Sequence, residues 1–76
     1  LIMYVKVLQG KVELMTRDPS GKMVSAGYEI GFDQIATPEK LLAWIYQLSQ
    51  KAWTEPGHIT ELIDVCRDQL NIPYAE

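Results

Sequence analysis

The chain has 76 residues, 47% hydrophobic and 22% charged, with a net charge of −3. This is the composition of one ordinary globular domain spanning residues 1–76, and its single cysteine excludes an intrachain disulfide and a multi-cysteine metal site. No apolar run approaches the ~18 residues of a membrane-spanning helix.

The first thirty residues predict a three-stranded meander. The start, Leu1 to Leu8, alternates like a strand and lacks the basic region and cleavage site of a signal peptide. A cytoplasmic setting without a membrane is therefore expected, and a chain opening on Leu1 is expected to have lost an initiator segment. The strands are predicted at Ile2–Leu8, Lys11–Arg17 and Lys22–Ile30. A two-residue turn at Gln9-Gly10 pairs Leu8 with Lys11, and so Val7 with Val12, Val5 with Leu14 and Met3 with Thr16. A three-residue loop at Pro19-Ser20-Gly21 pairs Asp18 with Lys22. Thr16 then meets Val24, Leu14 meets Ala26 and Val12 meets Tyr28. Both loops direct the apolar residues to one face, and a one-residue slip would turn that set to water.

Residues 31–36 form a connector, with Phe32 and Ile35 spaced for a single helical turn. The stretch from Thr37 to Ala52 predicts the organising helix. Thr37 suits the N-cap, Pro38 suits the first helical position, and Glu39 complements the positive end of the dipole. Leu41, Trp44, Ile45, Leu48 and Ala52 fall on one arc, widened by Leu42, Tyr46 and Trp53. A helix at the edge of a domain needs an apolar arc of only ~100°, and this one is nearly twice as wide. It is therefore expected to touch both the sheet and a second helix. Thr54-Glu55-Pro56-Gly57 breaks it. A second helix follows over His58–Leu70, with a stripe of Ile59, Leu62, Ile63, Cys66 and Leu70. Asn71 can end it in left-handed geometry, Pro73 blocks its resumption, and Tyr74-Ala75-Glu76 read as a tail. The fold class that results is α+β, a three-stranded antiparallel meander followed by two helices packed on one face, in the order βββαα.

Charge is unevenly spread. Residues 1–31 sum to +1 and residues 32–76 to −4, and an acidic helical half argues against wrapping nucleic acid. His58, the sole histidine, has Glu55 three residues away as a mere pairing partner and only Glu61 as a further metal ligand, so a non-catalytic residue on the surface or at the helix start is expected. Cys66 lies on the apolar stripe and reads as a packed thiol. Glu61, Asp64 and Asp68 read as a solvated helix face. No Gly-rich phosphate loop, Cys-pair site or catalytic dyad occurs at recognisable spacing, so no catalytic, cofactor or metal site is expected.

Surfaces remain. The sheet face opposite the core holds Tyr4, Leu8, Met15 and Met23, apolar enough to mark contact with another chain. Tyr46 and Trp53 lie on the flank of the first helix. These six residues are the expected protein interface, and the outer strands could also pair edge to edge. The expected role is a small protein–protein interaction module, an adaptor, inhibitor or self-associating accessory protein, with a homodimer as the expected assembly. The alternative is a nucleic-acid accessory module using Lys11, Arg17 and Lys22 near the hairpin tips with Tyr4 or Tyr28. An enzyme is the least favoured class.

Overall fold

The computed structural model describes residues 3–71. It contains three antiparallel strands, β1 (Val5–Leu8), β2 (Lys11–Arg17) and β3 (Met23–Gly31), in the spatial order β1-β2-β3. A 3-10 turn at Phe32–Gln34 leads to two helices, α1 (Pro38–Ser49) and α2 (Pro56–Leu70). The expected βββαα arrangement is what forms. The tail beyond Asn71 and the first residues of the expected opening strand lie outside the described residues.

Both hairpins close as their turn residues dictate. Leu8 pairs with Lys11, Val7 with Val12 and Val5 with Leu14. Gly10 takes φ 74, which a glycine adopts without steric cost. In the second loop Gly21 takes φ 88, and Asp18 Oδ1 accepts from the amides of Ser20 and Lys22 at 2.9 Å each. The Asp18 amide in turn donates to the Lys22 carbonyl at 2.8 Å.

The register of β3 departs from expectation halfway along. Thr16 meets Val24 as its loop requires, but Leu14 meets Tyr28 and Val12 meets Ile30. A bulge at Ala26-Gly27 slides the rest of the strand by two residues, which preserves the faces and changes every partner. Gly27 sits there at φ 81, and its amide turns to the Ser25 hydroxyl at 3.1 Å. A glycine inside an otherwise regular strand is the sequence trace of such a bulge. Its consequence is that Ile30, fully buried, reaches the core instead of opposing the turn at Gly10.

The core comprises Val5, Val12, Leu14 and Ile30 from the sheet, Ile35 from the connector, Leu41 and Leu48 from α1, and Leu62 and Cys66 from α2. Val7 shares the core face yet is exposed. Helix α1 starts as expected, with Thr37 Oγ1 accepting from the Lys40 amide at 3.2 Å. It ends at Ser49, so Trp53 belongs to the turn between the helices. Its wide arc is covered in part: Leu41 and Leu48 are buried and Trp44 and Ile45 pack against the core, but Leu42 and Tyr46 face solvent.

Helix α2 begins two residues earlier than expected, because Pro56 and Gly57 form its first turn instead of preceding it. Pro56 fits the first position, where no amide is needed. Gly57 is there for space: a Cβ at this position would run into the Tyr4 ring. Asn71 closes the helix at φ 56, as its left-handed tolerance allows.

Gly57→Ala is therefore expected to destabilise the protein by about 1–3 kcal/mol despite the better helix propensity of alanine. Urea unfolding at constant m-value measures it, and an unchanged midpoint would show that the Tyr4 ring yields freely.

Candidate interaction surfaces

A dense polar cluster lies where β1 meets the start of α2. The Met15 amide donates to the Tyr4 carbonyl at 2.9 Å, as an antiparallel pair requires. The return bond is not made. The Tyr4 amide turns instead to Glu61 Oε1 at 2.9 Å, and the same oxygen accepts from the Val5 amide at 3.0 Å. The Met15 carbonyl freed by this departure is met by His58 Nε2. His58 and Glu61, one turn apart on α2, thus complete the ladder from which β1 departs.

His58 is fully buried, not on the surface, though it does stand in the first turn of its helix. Its Nδ1 accepts from the Glu55 amide at 2.9 Å, so that nitrogen carries no proton, and Nε2 is the donor to Met15. Tyr4 and Trp53 pack against the ring edge-on, at centroid distances of 4.8 and 5.2 Å. Both nitrogens of the sole histidine are therefore committed to backbone groups. That is the arrangement of a positioning device, and it leaves neither nitrogen facing a substrate.

Beside it, Arg17 Nε donates to Glu55 Oε2 at 2.8 Å and Arg17 also donates to the Tyr4 hydroxyl at 2.9 Å. The Tyr4 hydroxyl donates to Glu55 Oε1 at 3.2 Å. The hydrogen bond from Arg17 is the main reason that the Glu55 carboxyl lies below its ordinary 4.5. Burial pushes the Cys66 thiol up, and its Sγ lies 3.9 Å from the Ile35 carbonyl oxygen, a packed thiol as expected. Among the described residues, no three His, Cys, Asp or Glu side chains converge as a metal site needs, and no helix is long and apolar enough to cross a membrane.

The six residues expected to form an interface do not form one surface. Tyr4 is turned in against His58 and Gly57. Leu8, Met15 and Met23 stay half-buried on the outer sheet face. Leu8 lies opposite Lys11 at one end, and Met15 and Met23 lie opposite Ser25 and Arg17 at the other. Between them stand Lys6, Glu13 and Glu29, with Lys6 facing Glu13 across the ladder and Lys11 bound to Glu29 at 2.8 Å. A band of charge thus divides the patch. Trp53 packs against Tyr28 at 5.8 Å and against His58, while Lys51 Nζ lies 4.5 Å from the centre of the Tyr28 ring. Only Tyr46 stands free.

Tyr46 has a neighbour that the helical wheel placed beside it but assigned to the interior. Leu42, one turn earlier, is 66% exposed, and Tyr46 itself is 67% exposed. With Glu39, Ala43 and Gln47 they share one open face of α1. The sequence signal for Leu42 was the excess width of the arc; among the described residues, no element packs on that side of α1.

Of the three cations offered to nucleic acid, Lys11 is bound to Glu29 and Arg17 to Glu55, while Lys22 stays exposed. Compared with known protein families, curated proteins and solved structures, the chain matches none of them.

Two outcomes are expected. His58→Ala strands the Met15 carbonyl and the Glu55 amide and opens a cavity, which costs about 2–5 kcal/mol of stability in denaturant unfolding. The second concerns acid. The Glu55 carboxyl is depressed in the folded state, so its contribution is present above the unfolded value of 4.5 and is lost as pH falls through the lower folded value. The urea midpoint of the wild type is expected to fall more steeply on acidification below that value than that of Arg17→Met, which lacks the pair. Parallel pH profiles would remove this ion pair from the account.

Proposed function

We propose that the protein is a small interaction module that binds another protein through the outward face of α1. The single observation that supports this reading is the side-by-side exposure of Leu42 and Tyr46, two large apolar side chains one helical turn apart. Isolated apolar residues on a surface need no explanation, but an aligned pair on a helix is the anchor pattern by which grooves and helices recognise one another. Tyrosine suits such a position, with a broad apolar ring, few rotamers to fix and a hydroxyl that tolerates water. The flanking Glu39 and Gln47 supply the polar rim of an interface, and Ala43 lets a partner backbone approach closely. The cytoplasm suits this protein, because an unpaired thiol such as Cys66 stays reduced there.

The joint substitution Leu42→Lys and Tyr46→Lys tests the reading. Both positions lie outside the core, so far-ultraviolet circular dichroism is expected to be unchanged and stability to stay within about 0.5–1 kcal/mol of wild type. Proteins retained by the immobilised wild type from a nuclease-treated extract of the source cell are expected to be lost. Retention of the same proteins by both forms would overturn the assignment.

A further inference from the structure

We propose that the occupant of the α1 face is the same face of a second copy, the two helices lying antiparallel across a twofold axis at Ala43. The proposal rests on the reading of α1 as a docking face and names the partner.

The argument is the order of groups along that face. Glu39 lies four residues before Ala43 and Gln47 four residues after it, which is ~6 Å to either side along the helix. A twofold axis through Ala43 therefore sets Glu39 of each copy opposite Gln47 of the other. Glu39 is an acceptor-only carboxylate and Gln47 carries two amide N–H donors, so both ends of the pair gain a charge-assisted hydrogen bond. A parallel pair would instead set Glu39 against Glu39. Antiparallel packing also aligns the two helix dipoles favourably. At the centre the Ala43 methyl group lets the backbones close in, while Tyr46 of each copy lies ~3 Å further along the axis than the other copy's Leu42, within reach of it.

The two polar groups are also free to do this. Lys11, Arg17, Glu29, Glu55 and Glu61 are all used in hydrogen bonds within the fold. Among the described residues, the Glu39 carboxylate and the Gln47 side-chain amide have no such partner. The order of Glu39 and Gln47 about Ala43 is self-complementary in polarity, as an isologous dimer requires. A single helix pair covers much less than the ~800 Å² per partner of a standard interface, so the dimer is weak, with a Kd on the order of 10–1000 µM.

Sedimentation velocity on the full chain, from about 10 µM to 1 mM, tests this directly. The wild type is expected to shift from monomer to dimer across that range. Gln47→Glu sets carboxylate against carboxylate twice and is expected to weaken the dimer by about fivefold or more at low salt. Adding Glu39→Lys to the same chain creates two lysine–glutamate pairs and is expected to restore it. Circular dichroism on each variant confirms that the fold is kept. A wild type that stays monomeric to 1 mM on this ~Kd scale, a dimer indifferent to Gln47→Glu, or a double variant that fails to recover would each overturn self-pairing. Failure of the underlying reading is distinguishable. If the wild type is monomeric but the Leu42→Lys, Tyr46→Lys variant loses a foreign partner, self-pairing falls and the docking face stands. If that variant neither loses a partner nor alters self-association, both fall.

Discussion

The structure turns on one exchange of hydrogen bonds at the end of β1. A strand that leaves its sheet exposes a carbonyl and an amide, and burying either without a partner costs about 1–3 kcal/mol. Here the Tyr4 amide goes to Glu61 and the Met15 carbonyl goes to His58. Helix α2 thereby acts as a continuation of the sheet, supplied by side chains instead of backbone. The position of α2, its early start at Pro56 and the absence of a side chain at Gly57 all follow from the need to bring His58 to Met15 beside the Tyr4 ring.

Two further consequences follow from that junction. Arg17, Glu55 and the Tyr4 hydroxyl close around its open side, so a cation at the end of β2 is spent within the chain. The β1 edge is also guarded. Val5 offers its amide outward, and Glu61 takes it before another strand could. One of the two edges expected to be open for pairing is thus partly occupied by the protein's own helix. On β3 the Gly27 bulge does related work, since it bends the strand and turns one amide onto Ser25.

What is left over is on α1. Among the described residues one layer of helices closes over one sheet, and no third layer covers the broad arc of α1. Leu41 and Leu48 take the inward positions, and Leu42 and Tyr46 are pushed to the outside. The outer sheet face, by contrast, breaks its apolar residues with Lys6, Glu13, Lys11 and Glu29, an arrangement that suits water. The surface with a continuous apolar centre and unused polar ends is therefore a helix face.

By itself the sequence determined the elements and the sheet faces, because these depend on local rules. Gly10 and Gly21 set the two turns, side-chain alternation set which face is apolar, and Thr37-Pro38 set where α1 begins. Each acts over a few residues and survives any tertiary context that the chain adopts. Tertiary structure alone decided the β3 register past Gly27, the burial of His58, the inward turn of Tyr4 and the exposure of Leu42. This bulge inserts two residues, which conserves parity, so alternation cannot reveal it. A buried histidine depends on a carbonyl 43 residues away being left free. A helix face is covered or bare according to how many layers the chain can build, and that is a property of the whole molecule.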